Sequence, residues 1–225
     1  MNHYDSNFSA FKNRWPTLAN EISKTNRLTD EIQIQKNKIS VNHKQLFSVY
    51  NREKELNLFF NSTIFTEKLT IYGISVGDIP DKFLTNKTVR CLQVVIMNIA
   101  LFKRVLEFRD QTHWMSDPRV KVLFADDSTN FSTPMFASAP DIYNADSKCW
   151  RLKNRIIQHL NEPYLKKKYS NKKPALISRL KQTKDLRKSS LNVTELFKSA
   201  KNQYALVVAA GPSLEKTIRI IKKLK

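Results

Sequence analysis

No run of eighteen apolar residues occurs in the 225-residue chain, so the sequence predicts no membrane-spanning helix. The longest nearly apolar stretch, LQVVIMNIALF at 92–102, is interrupted by Gln93 and Asn98 and reads as a buried strand entering a helix. The opening MNHYDSNFSAFKNRWPTL has no apolar core behind a basic tip, so it does not read as a secretory signal, and a cytoplasmic location is expected. Cysteine is scarce: Cys91 and Cys149 lie in separate segments without metal-ligand spacing, which predicts free thiols. The histidines, His3, His43, His113 and His159, each stand alone, and none is assigned to a metal. No Ser–His–Asp or Cys–His set declares itself, so the catalytic residues stay unassigned.

Acidic residues are few where basic ones are many. The net charge of +19 is uneven: residues 1–150 carry a net +3, and residues 151–225 a net +16 with only four acids. Basicity belongs to the last third, and a nucleic-acid argument built on whole-chain charge would be misplaced. The runs LKKKY at 165–169 and NKKP at 171–174 suit acidic lipid, RNA or a sugar-nucleotide's phosphates, with a solvated helix face as the plainer reading. Tyr164 and Tyr169 interleave aromatic rings with this charge, as a stacking surface would.

What is present argues for an α/β fold. Residues 1–64 form a helical or mixed segment: Pro16 suits the start of a helix with Leu18 and Ile22 on its apolar side. Thr29 to Glu31 resemble a second helix start, whereas Ile32, Ile34, Ile39 and Val41 alternate as in strands, so a short hairpin before Tyr50 stands as the other reading. From Leu69 onward, LTIYGISVGDIPDKFL, TVRCLQVVIMN, IALFKRVLEFRD and DPRVKVLFADD alternate strand and helix patterns. The expectation is a small Rossmann-like parallel sheet with covering helices over residues 65–145. A basic helical connector broken at Pro163 and Pro174 should fill residues 146–202, with one apolar face at Leu152, Ile156, Ile157 and Leu160. Residues 203–225 read as the first strand, loop and helix of a second Rossmann-like domain.

Within that last element, YALVVAA has the unbroken apolar character of a strand buried on both faces. Gly211 then permits a sharp turn, Pro212 suits a first helical turn, and Leu214, Ile218, Ile221 and Leu224 make one apolar helix face. Backbone N–H groups of Gly211, Ser213 and Leu214 at such a helix start suit a phosphate, and the Ser213 hydroxyl adds a donor or a cap. A plain strand-to-helix turn fits these residues equally well. One glycine stands where a dinucleotide fingerprint has three, and the Gly-Lys-Ser/Thr of a P-loop is missing.

The stretch ALVVAAGPSLEKTIRIIKK resembles the opening of the domain shared by the motility accessory factor (Maf) flagellin glycosyltransferases and the MptE-type hydroxymethylpterin diphosphokinases. The upstream NFSAFKNRWPTLANEI, with its Asn and Pro-Xaa-Leu before a helix, is similar to the start of the Maf family, and the strand–helix–strand of 92–127 resembles its N-terminal domain. The resemblance implies transfer of a nonulosonic acid from a CMP-sugar to Ser or Thr of flagellin in the bacterial cytoplasm. It also implies a nucleotide-phosphate site at Gly211, Pro212, Ser213 and Leu214, with any divalent metal held by the complete domain beyond Lys225. The chain departs from the family by carrying Met97-Asn98 where relatives commonly have an acid. It ends one helix after the turn, so it is expected to be an N-terminal portion without activity of its own. A non-enzymatic α/β module whose basic arm docks on an acidic partner, nucleic acid included, and an MptE-like pterin diphosphokinase portion are the alternatives.

Smaller features have two readings each. Asp126 and Asp127 end a strand where α/β sheets place ligand sites, and metal or catalytic use competes with capping. Asp78 after Gly77 reads as a turn residue.

Overall fold

A computed structural model describes residues 3–26, 32–35, 38–41, 44–170 and 173–189. The chain divides into two compact units, residues 1–165 and 166–225. The strand–turn–helix expected at 203–225, with Gly211, Pro212, Ser213 and Leu214, lies outside the described residues, as does the end of the connector at 190–202.

The first unit opens with helices α1 (Tyr4–Arg14) and α2 (Pro16–Lys24), the second started by Pro16 as its sequence requires. Next come the short strands β1 (Ile32–Gln35), β2 (Lys38–Val41) and β3 (Lys44–Gln45), paired antiparallel in that order. Alternation therefore prevails over a helix start here, and Ile39 and Val41 turn into the core. Helix α3 (Arg52–Ser62) begins at Asn51, whose side chain accepts from the Lys54 N–H at 2.8 Å.

The parallel sheet follows. Strand β4 (Lys68–Tyr72) leads through α4 (Asp78–Leu84) to β5 (Cys91–Ile96), and then through α5 (Ile99–Val105) and α6 (Thr112–Ser116) to β6 (Val120–Phe124). A last strand, β7 (Met135–Ala137), returns to the far side of β4 and is followed by α7 (Ala139–Tyr143). The order β6-β5-β4-β7 is parallel throughout, so the small Rossmann-like α/β fold is present. The sequence reading had three strands; β7 escaped it because three residues next to Pro134 carry almost no periodic signal.

Both faces of the sheet are covered, as a parallel sheet needs. Leu69, Ile71, Leu92, Val94 and Ile96 join the larger core, which takes in Phe11, Ile22, Ile39 and Leu46 from the first fifty residues. Tyr72, Val95 and Met97 alternate with them and meet Ile142, Cys149, Leu152 and Ile156 on the opposite face. Leu152 and Ile156 belong to α8 (Trp150–Ser170), entered through a 3-10 turn at Ser147–Cys149. The expected break at Pro163 does not occur: α8 continues through it. Proline there forfeits the bond to the carbonyl of His159 and crowds it, and this part of the helix is exposed, leaving that oxygen open to solvent. Pro174 instead lies in the first turn of the next helix.

Polar groups fix how the first helices dock. Asn7 is fully buried; its amide donates to the carbonyls of Leu106 and Arg109 at 2.8 and 2.7 Å, and its Oδ1 accepts from the Gln111 N–H at 2.8 Å. Lys103, also buried, donates to the carbonyls of Ile22 and Thr25 and so closes the end of α2. Among the described residues no helix is long and apolar enough to cross a membrane. Asn7→Ala strands three backbone groups, two of them in fully buried bonds, and chemical denaturation of the variant should show a loss of about 2–3 kcal/mol; a loss under about 0.5 kcal/mol would contradict this docking role.

Candidate functional site

Doubly wound sheets bind ligands where the strand order reverses, outside the carboxyl ends of the strands. In this sheet that place lies between β4 and β7. The segment leaving β4 is Gly73-Ile74-Ser75-Val76-Gly77, and three of its residues are left-handed: Gly73 (φ 82°), Ser75 (φ 55°) and Gly77 (φ 88°). Such turns aim successive N–H groups into one concavity, the geometry that holds anions in nucleotide-binding loops.

The concavity is filled by the protein itself. The carboxyl group of Asp141, on α7, accepts from the N–H of Ile74 at 3.2 Å and of Ser75 at 2.9 Å. A Cβ at Gly73 would collide with the Asp141 side chain, and one at Gly77 with Gln111, so both glycines are demanded by close approach as well as by φ. Burial pushes the Asp141 carboxyl above the usual carboxylate range, opposed by hydrogen bonds from Ser138, Ser75 and Ile74. The cavity lined by Ile74, Met97, Asn98 and Asp141 measures about 10 Å³. That is room for one water molecule, far below a nucleotide.

Beneath the loop lies an ionic cluster built on a buried carboxylate. Asp78, only 4% exposed, accepts from Arg52 Nε at 2.7 Å and Nη2 at 2.5 Å, and Arg109 approaches to 3.3 Å. Arg52 also donates to Glu55 Oε2 at 2.5 Å and to the Ser75 hydroxyl at 3.2 Å, while that hydroxyl donates to the Leu46 carbonyl at 2.9 Å. Every charge has a partner, and the fork of Arg52 joins α3 to the first turn of α4. Asp78 is thus more than a turn residue. Nothing in the sequence couples Asp78 to Arg52, twenty-six positions away, so periodicity could not reveal the pair. Gly73 and Gly77 flanking a serine after an apolar strand was the one signal available for the loop.

The other sequence candidates hold structure together. Asp126 accepts from the N–H and hydroxyl of Ser128, which hold its carboxyl below the usual range, and Asp127 caps α8 by accepting from the Arg151 N–H. The first closes a turn and the second is a cap. Asn98 caps α5 by accepting from the Leu101 N–H at 2.9 Å and donates to the Asn144 carbonyl at 2.7 Å. Both cysteines are free; Cys149 is buried against the carbonyls of Ala125 and Met97, and burial pushes its thiol up to about 11, which leaves it unreactive at neutral pH. Among the described residues no three His, Cys, Asp or Glu side chains converge as metal ligands.

No protein-family model matches the chain, and no curated protein matches it. The chemistry must therefore be read from the residues alone. At the carboxyl end of β4 the loop N–H groups of Ile74 and Ser75 are taken by Asp141, and the adjoining cavity holds about 10 Å³.

The charge state of Asp141 gives a measurable sign. With its folded pKa above the unfolded value of about 3.9, the folded protein holds the proton more tightly, so the stability due to this group is largest in acid and falls as pH rises through that window. The stability of the natural protein minus that of Asp141→Asn should therefore decline from about pH 4 upward. A rise instead would mean that the two N–H donors outweigh burial.

Proposed function

We propose that the chain belongs to a Maf-like nonulosonic acid transferase, in which residues 65–145 are an accessory scaffold and the nucleotide phosphate of a CMP-sugar is held at Gly211, Pro212, Ser213 and Leu214. The observation that carries this reading is the Asp141 carboxyl seated on the N–H groups of Ile74 and Ser75. A loop already holding its own carboxylate is less suited to a nucleotide phosphate, which favours the strand–turn–helix pattern of 204–224 as the phosphate site.

The presence of the Rossmann-like sheet where the resemblance implies one supports the reading, although this fold hosts many activities and the site motif has to bear the weight. Asn7 lends further support: the asparagine of the family-like opening is the residue that docks α1. In this reading the 211–214 turn contributes backbone N–H donors and Ser213 one hydroxyl, while flagellin supplies the acceptor Ser or Thr.

Calorimetric titration of the full chain with CMP tests the assignment. Gly211→Val should weaken binding at least tenfold by filling the turn, and Ser213→Ala should weaken it by roughly fivefold for one lost hydrogen bond. Asp141→Asn should leave the affinity unchanged. Failure to bind CMP at millimolar concentration, or binding indifferent to Gly211→Val, would overturn the assignment.

A further inference from the structure

The second unit carries a surface that sugar-nucleotide chemistry does not use. Its described residues comprise the last turn of α8, then α9 (Lys173–Gln182) and α10 (Lys184–Ser189). Residues 166–189 hold ten Lys and Arg and a single acid, Asp185. On α9, Leu176, Ile177 and Leu180 fall at i, i+1 and i+4 and are 57%, 49% and 43% exposed. Arg179 and Lys181 lie about 100° around the helix from Leu180, one on either flank of this stripe. Lys184 and Lys188 repeat the basic character along one side of α10.

An aliphatic stripe flanked on both sides by long basic side chains is the pattern of a helix lying in a membrane interface. The aliphatic groups enter the acyl boundary, and the lysine and arginine stems bend outward to place their charges at the phosphates. We infer that the basic helical arm at 166–189 binds peripherally to anionic phospholipid surfaces. Ten residues of α9 span only about 15 Å, so the contact is on the bilayer and not across it. Single-stranded nucleic acid would use the same charges, but it gives no role to three exposed aliphatic side chains on one helix face, and the lipid reading uses both features. The inference is independent of the transferase reading.

Co-sedimentation of the full chain with vesicles tests it, using phosphatidylcholine alone and phosphatidylcholine mixed with phosphatidylglycerol. Each cation near an anionic bilayer strengthens binding by roughly fivefold, so the mixed vesicles should be bound at least tenfold more tightly. Lys167→Glu with Lys181→Glu should abolish that preference. Leu176→Ser with Ile177→Ser should weaken binding to the mixed vesicles at least tenfold, with the thermal unfolding midpoint of each variant unchanged because all four residues are exposed. Equal affinity for the two vesicle types would overturn the inference. Binding to mixed vesicles that survives the Leu176→Ser/Ile177→Ser change would also overturn it, as would tighter binding to single-stranded RNA that ignores that change.

Discussion

A single carboxyl group sits where this kind of sheet ordinarily receives a phosphate. The loop after β4 turns left-handed three times, which by itself leaves backbone N–H groups converging on an unfilled concavity. Asp141 fills it from α7, the helix after β7, and in doing so holds β4 and α7 together at the reversal point of the sheet. The N–H groups of Gly73, Ile74, Ser75 and Gly77 and the Ser75 hydroxyl all have partners within the protein.

The segments around the loop follow from that arrangement. Ser75 tolerates a left-handed backbone because its N–H, bound to Asp141, and its hydroxyl, bound to Leu46 and Arg52, are all engaged. Arg52 can enter a partly apolar setting, above the ring of Phe47, only because Asp78 and Glu55 meet its charge. The first sixty residues are consequently integral to the sheet domain: Leu46, Phe11 and Ile22 share its larger core, and Asn7 satisfies the backbone where α5 gives way to α6.

Much of the sheet was legible because burial imposes simple periods. β4, β5 and β6 are apolar, β-branched stretches bounded by Gly73, Asn98 and the Asp117-Pro118 turn, and helices with regular apolar spacing separate them. The hairpin of β1 and β2 was half legible, since its alternation competed with a helix-like start at Thr29 to Glu31. Three features were not. β7 is too short to have a period, the helix crosses Pro163 because exposure makes a lost bond cheap, and the Asp141 plug joins residues 66 and 67 positions apart. Contacts of that kind depend on topology, which pattern alone does not supply. Of the candidate site residues, Asp127 and Asn98 proved to cap helices and Asp126 to close a turn, roles that short polar side chains at strand ends and helix starts often fill.

The central claim is that the crevice at the reversal point of the first sheet is occupied by the protein's own side chain. Amide chemical shifts of the full chain, followed by NMR while CMP is added, test this most directly. The account predicts that the Ile74 and Ser75 amides stay fixed through saturation while any responding signals lie elsewhere. Saturable movement of those two amides, with release of their hydrogen bonds to Asp141, would contradict it.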